Sequence, residues 1–561
     1  MTVNHLKNRD AQQKTLALAF GRHAVKGHLC WSRVENPSGF QVIAYNALGE
    51  GEWDACEAAY YRGIEIIPAD YNFHPGALAT AMTDGPQIVD TLFDLDVPHS
   101  RTAAIGYRCP VGIGDVDTEK NPPDAFEGIF RTKKCPDFNS LGTLTDEGSY
   151  TANPARCLAA ALMSYGRLPN LPGSYTSAME YWQTRIDWGS WCAWRDYCDD
   201  LEMVDYTDFD DADGFGLTAS YYNNDDFTNF VTQFVQPSID LELGVASPAA
   251  GVNQETFSAR FEGRIKAKAS GNITFTLYHD DGARLYIEHD TVIDAWYTND
   301  TDTGTFEMVE GQFYDIILEW RQGNGPSGLR LMWSSKGLPQ EVIPSKYLYP
   351  KPAECPRYES HVYFNSPTNF AEVMRTILFV SNSLMQDVNG RLRFYCYEQL
   401  APISGFTLDN YNIDSFTFRR RDILQNDAVT SYEAKFRDLD SQFLEEPVSP
   451  VHVDIKYLTR KNVENVKVID LFNSTRWQAR KVLALRAKLE TGNDLIAHVE
   501  AKMSRSYQVM AGDLVMVSHR KTGPTARTYL VREAADGAVA EASGSESSEP
   551  EKRTFTLQEW A

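Results

Sequence analysis

The chain is short of basic residues. Its 53 Lys+Arg face 77 Asp+Glu, a formal net charge of −24. That shortage argues against a dedicated nucleic-acid binder, which uses Lys and Arg to neutralise phosphates. Long apolar runs are missing too, and none approaches the ~20 residues that span a bilayer. The start, Met1-Thr2-Val3-Asn4-His5-Leu6-Lys7, holds no apolar signal core. Leu16–Phe20 is too short for one and runs into Gly21-Arg22-His23, so no export signal is expected. Cysteine is scarce: nine residues, an odd number, with no CxxC and none between Cys198 and Cys355. Zinc and iron–sulfur sites want closely spaced pairs. Reduced, buried thiols in a chain made in cytoplasm are the expectation. Catalytic signatures are absent as well. The eleven histidines form no HExxH, and no GxxxxGK[ST] occurs, so Gly323-Asn324-Gly325 reads as turn chemistry. His279-Asp280-Asp281 is the densest polar cluster, but a general base needs a partner and a pocket. No enzymatic activity is expected.

What is present suits a globular chain of several domains. Hydrophobic residues make up 43% and charged residues 23% of 561, enough for about three to five cores. The acid is unevenly placed: from Asp196 to Ala259 there is no Lys or Arg and there are 14 Asp+Glu. Residues 1–150 read as short strands between Gly/Pro turns, among them Gly39–Tyr45, Gly63–Ile67 and Arg101–Tyr107. Asn153-Pro154 opens a helix through Ala155–Tyr165. A helix pair follows across Ser177–Leu201, interrupted near Gly189. The acidic run from Asp199 to Gly214 then reads as a solvated linker.

After that run the texture changes to alternation, apart from Tyr278. Ile273-Thr274-Phe275-Thr276-Leu277-Tyr278, Arg284–Ile287, Tyr314–Trp320 and Leu329–Trp333 are separated by Gly/Asn/Asp turns, the pattern of an all-β sandwich over 214–350. Mixed texture returns after Lys351-Pro352. A helix is expected over Thr368–Met385, capped at Ser366-Pro367, with Phe370, Val373, Met374, Ile377 and Leu378 on one stripe. Asn389-Gly390 turns into strand Arg391–Tyr397. Strands at Ser415–Arg419 and Val429–Phe436, a helix from Ser474 to Glu490 and a β-rich stretch at Ala497–Val531 follow. Ala534–Lys552 reads as a loop, and Arg553–Leu557 as a last strand. The fold class is α+β, a β-rich multidomain chain divided at 1–213, 214–350, 351–450 and 451–561. The flanks share a texture that the middle lacks, as if the sandwich interrupted one body at an exposed loop.

The middle carries a resemblance. Gly216-Leu217-Thr218-Ala219-Ser220-Tyr221-Tyr222, Phe257-Ser258-Ala259-Arg260 and Tyr278-His279-Asp280-Asp281-Gly282-Ala283-Arg284-Leu285-Tyr286-Ile287 resemble the protective-antigen-type β-sandwich, many members of which bind carbohydrate. In the lectin-like members an adjacent Asp pair holds a calcium ion that grips sugar hydroxyls, which suits a hard cation and clustered oxygens. Asp280 and Asp281 match that pair by position, and Asn324, in the loop Gln322–Ser327, falls where further ligands come from. Asp280-Asp281-Gly282 is equally a plain β-turn by composition. Trp296, Tyr297 and Trp333 could stack on sugar or fill the core.

The flanks resemble the central tail-tip hub, or host-specificity protein, of long-tailed bacteriophages. The resemblance rests on an ordered set of motifs: Leu48-Gly49-Glu50-Gly51-Glu52-Trp53, Arg62-Gly63-Ile64-Glu65, Asn153-Pro154-Ala155-Arg156, Tyr197-Cys198-Asp199-Asp200, Arg357–Asn365, Asn389–Phe394, Phe406–Tyr411, Ser415–Phe418, Trp477–Arg480 and Ala511-Gly512-Asp513-Leu514-Val515. Ala511 stands where the family often has Pro. The resemblance implies hub β-barrel domains with helical insertions and a homotrimer at the virion's tail tip. It also implies contacts with a distal tail protein, the tail tube and the tape-measure protein, a host glycan or receptor as target, and DNA passing through without specific binding. The chain ends at Ala561, soon after the hub-like part, so other proteins are expected to supply any spike. The alternative is a secreted carbohydrate-binding protein or glycoside hydrolase carrying the same module. A hydrolase would need an acidic pair in a catalytic domain, and the flanks do not resemble one. A sandwich that is only a spacer is the third reading.

Overall fold

A computed structural model describes residues 18–26, 28–35, 41–50, 52–61, 64–66, 71–74, 102–110, 126–165, 178–208, 213–364, 366, 368–420, 431–441, 452–454, 466–491, 495–522, 525–536 and 552–560. The protein is β-rich, with several sheets, few helices and one sandwich.

Alternation builds the sandwich. Strand Gly271–Asp280 buries Ile273, Phe275 and Leu277 and turns Thr274 and Tyr278 outward. Strand Phe313–Gln322 buries Ile316, Leu318 and Trp320, and strand Ser327–Ser335 buries Leu329, Leu331 and Trp333. These rows meet in one core between two antiparallel sheets. The seven-stranded sheet runs Phe230–Gln236, Leu217–Tyr222, Phe257–Lys266, Phe313–Gln322, Gly282–Ile287, Asp290–Ala295, with Leu348–Pro350 added beside Phe257–Lys266. The five-stranded sheet runs Asp240–Gly244, Ser327–Ser335, Gly271–Asp280, Asp300–Met308, with Leu338–Val342 beside Ser327–Ser335.

The flanks close on each other around the sandwich. One core gathers Phe20 and Phe138, the helix Pro154–Tyr165, Trp191, Trp194 and Cys198, then Tyr358, Ile377, Phe394, Tyr432 and Val482 from beyond the insertion. A separate six-stranded sheet near the C-terminus orders Pro402–Asp409, Leu514–Ser518, Arg527–Asp536, Lys552–Glu559, Leu495–Lys502 and Ile413–Arg420 over its own core. The seven cysteines whose side chains are described are free thiols, and the Cys198 and Cys396 sulfurs lie 4.0 Å apart in the flank core.

Several elements differ from expectation. The helix pair is Ala178–Arg185 and Trp188–Asp199, and it breaks at Ile186-Asp187. Asp187 caps the second helix by accepting from the Ser190 amide, which leaves Gly189 inside the first turn. The helix expected over 368–385 covers only Phe370–Val380, opened by Asn369, whose side chain accepts from the Glu372 amide. Asn382 takes φ +48°, and Ser383–Val388 becomes a strand paired to Arg391–Cys396 across the Asn389-Gly390 turn, where φ is +54° and +78°. The apolar Leu384 and Met385 that extend the helical stripe serve this hairpin instead. The helix expected from Ser474 to Glu490 is Arg476–Thr491, and Gly492 just beyond it lies outside the described residues. So do Pro367 and most of the expected loop over 534–552.

The acidic linker also proves structured in part. Leu201–Val204 pairs antiparallel with Ala353–Pro356, Leu201 opposite Pro356 and Val204 opposite Ala353. The ingoing and outgoing chains of the sandwich are therefore one two-stranded ribbon. Beyond it, Arg264 Nη1 holds Asp205 Oδ2 at 2.8 Å and Thr207 Oγ1 at 2.7 Å, which ties the ingoing chain to the sandwich sheet.

Candidate functional site

The strand registers place the Asp pair far from the ribbon. The Gly216 amide donates to the Leu348 carbonyl near the seam, and Gly263 pairs with Pro350. From there Leu217–Tyr222 runs outward until Tyr222 meets Ser258, next to Phe257 opposite Gln322. The connections 223–229, 253–256, 296–299 and 323–326, with the Asp280–Gly282 corner, gather at this outer end.

Asp280 ends its strand opposite Gly328, and its carbonyl accepts from Trp320 Nε1 at 3.1 Å. The Asp280-Asp281 peptide is cis. Below it His279 is fully buried, Nδ1 2.6 Å from the Asp281 carbonyl and Nε2 3.0 Å from Asp302 Oδ2. Asp281 Oδ2 accepts from the Gly323 amide at 2.8 Å, which fastens the 323–326 loop to the corner. Desolvation raises the Asp280 carboxyl above the usual carboxylate range, and the negative charge of Asp281 adds to this, while an Asn299 side-chain hydrogen bond opposes it. Asn324 is exposed one residue beyond Gly323. Gln322 is buried. Its Nε2 donates to the Gly325 and Pro326 carbonyls at 3.3 and 3.1 Å, and its Oε1 has no partner. The corner thus offers only oxygen: two mutually repelling carboxylates with amide oxygens nearby.

The three aromatics of interest part company. Trp333 is core, its ring 5.2 Å from that of Tyr347 and its Nε1 donating to Glu341. Trp296 is half-buried and Tyr297 is 83% exposed at the outer end. The Phe227 ring lies 5.8 Å from Trp296. Three guanidinium groups cover these rings: Arg260 at 4.6 Å from Phe227, Arg284 at 4.6 Å from Trp296, and Arg321 at 5.4 Å from Trp296 and 5.0 Å from Tyr297.

Gly282 makes this packing feasible. A Cβ there would stand 2.1 Å from the Trp296 carbonyl oxygen and 3.0 Å from Arg321 Nε. The glycine after the Asp pair serves this close approach rather than a special backbone angle. Sequence reasoning did not single out Phe227, Arg284 and Arg321 as site residues. Strand alternation after the buried Trp320 does turn Arg321 outward, but which loops converge on it is a property of the fold.

Among the described residues there is no group of three or more His, Cys, Asp or Glu placed to hold a metal ion, and no helix is long and apolar enough to cross a membrane. Residues 214–347 match the family model of the PA14 domain, where the protective-antigen-type sandwich is expected. The anti-sigma-I factor RsgI3 of Acetivibrio thermocellus is 34% identical over 146 residues, which are 26% of this chain and 23% of that protein. The chain therefore spans less than a quarter of that curated relative. Among solved structures, a PA14 sugar-binding domain from an RTX adhesin aligns over 25% of this chain and 98% of its own, with 15% identity and a TM-score of 0.21. A chain from the virion of a native gene transfer agent particle aligns over 100% of this chain and 88% of its own, with 11% identity and a TM-score of 0.46.

Proposed function

We propose that this chain is a structural hub at the tail tip of a phage-like particle, and that its inserted sandwich contacts host carbohydrate through the outer-end loops. The observation that carries the reading is the insertion itself. A PA14 domain leaves a continuous flank core on a paired ribbon, with its Asp corner at the end remote from that ribbon. A binding module held this way projects its loops while the body beneath stays closed. The ordered hub-like motifs on both flanks supply the tail-tip part. In this reading three copies surround the tail axis, meeting the distal tail, tube and tape-measure proteins. A chain of net charge −24 suits a conduit whose walls do not hold DNA phosphate.

Calcium is part of the proposal. The corner's donors are oxygen only, and a divalent cation would relieve the repulsion between Asp280 and Asp281. Asp280, Asp281 and the Asn324 side chain would hold it, with ligand hydroxyls completing the shell. The hub reading is tested by negative-stain imaging of particles labelled with an antibody to residues 214–350. Label at the tail end is expected, and label elsewhere overturns the reading. The carbohydrate reading is tested by a saccharide array probed with the full chain, with and without calcium. Asp281→Asn, which keeps the acceptor for the Gly323 amide, should abolish the calcium-dependent signal.

A further inference from the structure

Five arginines lie within the sandwich, and four of them hold a carboxylate: Arg260 with Glu319 at 2.6 Å, Arg264 with Asp205 at 2.8 Å, Arg284 with Asp294 at 2.8 Å and Arg330 with Glu242 at 2.6 Å. Arg321 is the exception: among the described residues no carboxylate meets it, and its buried Nε has no acceptor. It sits at the outer end, in register with Gly282, the residue that follows the Asp pair. Its guanidinium lies against Trp296 and the exposed Tyr297. In a chain with an excess of acid, a cation left without a counter-charge beside the exposed Tyr297 ring is an open position for an anion.

We propose that Arg321, framed by Trp296 and Tyr297, is the subsite for the carboxylate of an acidic sugar, so that the outer end selects saccharides containing hexuronate. The inference rests on the carbohydrate reading above and narrows it. A guanidinium presents parallel donors that match a planar carboxylate, and the same plane stacks on aromatic rings. The exposed Tyr297 ring suits the apolar face of a pyranose. A singly charged group is favoured over a phosphate because Asp280, Asp281 and the exposed Asp225, Asp226 and Asp300 ring the same end and would repel a dianion more strongly. Gly282 fixes the arrangement, since any larger residue displaces both Trp296 and Arg321.

The test uses the full chain and a panel of uronic-acid oligosaccharides (galacturonate, glucuronate, mannuronate and guluronate trimers), each paired with its methyl ester. The pairs share a skeleton and differ in charge. At fixed calcium, at least one acid should bind about tenfold more tightly than its ester, and added salt should erode that preference. Arg321→Gln should reduce the acid to the affinity of its ester. Arg321→Lys, which keeps the charge without the fork, should fall between. Thermal melting of each variant reports whether the sandwich still folds, and the salt dependence of the unaltered chain gives a second readout. Equal binding of acid and ester, or a preference that survives Arg321→Gln, overturns the acidic-sugar inference and leaves the carbohydrate reading standing. A preference abolished by chelation but untouched by Arg321→Gln also overturns it, because the cation would then hold the carboxylate. If neither acids nor esters nor any arrayed saccharide binds, both readings fall.

Discussion

The sandwich and the flanks solve the same packing problem in opposite ways. The sandwich draws every residue of its core from 217 to 348, a continuous stretch of chain. The flank core starts at Phe20 and reaches Ala487, and it has to pass over the whole sandwich to close. The first is a unit that can be cut out of a sequence, whereas the second exists only when remote pieces meet. The ribbon Leu201–Val204 with Ala353–Pro356 makes the two compatible, because it brings the flank ends together whatever lies between them.

The largest expected effect tests whether the two regions are separate cooperative units. Trp191 and Trp333 are each fully buried, one in each core. Either change to Ala should cost about 3–5 kcal/mol. In calorimetry of the full chain, Trp191→Ala should lower only the flank transition and Trp333→Ala only the sandwich transition. A single transition that both substitutions lower equally would end the comparison.

A smaller effect probes the sandwich alone. Gly282→Ala forces a Cβ against the Trp296 carbonyl, where backbone has to move. The sandwich transition should lose about 1–3 kcal/mol, with the flank transition unchanged. Ultraviolet difference spectra should show Trp296 more exposed.

These two tests also mark what the sequence discloses. The rows Ile273-Phe275-Leu277 and Leu329-Leu331-Trp333 announce strands because their period is local. The helix over 368–385 is overlong because Leu384 and Met385 continue an apolar stripe that looks the same in either conformation. What stops the helix is Asn382 at positive φ and a hairpin partner ahead of it. Leu201–Val204 reads as linker because Leu201 and Met203 are exposed among acids, and its partner strand lies across the whole sandwich. At the candidate site, Asp280 and Asp281 are adjacent in sequence and therefore visible. Arg321 and Phe227 join them only through strand register, which no short window carries.

The flanks should also differ from the sandwich in their response to pH. Burial lowers His23 to about 3, and its ring is held neutral: Nε2 lies 2.7 Å from the Phe20 carbonyl, and Nδ1 accepts from Asn473 Nδ2 at 2.7 Å. A folded value below 6.5 gives stability that is present above 6.5 and is lost as pH falls. Asp440 is pushed up to about 7 by burial and by the Asp438 carboxylate beside it. A folded value above 3.8 gives the reverse, stability complete below 3.8 and lost as pH rises through about 7. The two slopes offset each other between about pH 4 and 6.5. Asp440→Asn removes one of them, so its flank transition should gain on the unaltered chain as pH rises from 4 to 7.5. A gain of ~1–2 kcal/mol is expected, below the full linkage value because the two carboxylates share the shift. A constant offset across that range would reject the assignment.

The smallest effect is expected at the seam, and it is the most informative about how the regions communicate. Arg264 bridges Asp205 and Thr207 of the ingoing chain, and its Nε reaches Asp315 Oδ1 at 3.2 Å on the neighbouring sandwich strand. The pair is a third exposed on the arginine side, so water screens it. Arg264→Gln should therefore shift the sandwich transition by no more than about 1 kcal/mol. Its consequence lies in the coupling. If Arg264 carries strain between ribbon and sheet, the substitution should widen the gap between the two transitions without moving the flank transition, and 0.5 M salt should reproduce that widening in the unaltered chain. If the gap does not change, Arg264 adds nothing to the coupling, and the regions are joined by the paired ribbon and by contacts across the seam, with Arg476 4.3 Å over the Phe215 ring and Ala250 against the cluster of Ala58, Tyr60 and Ile129.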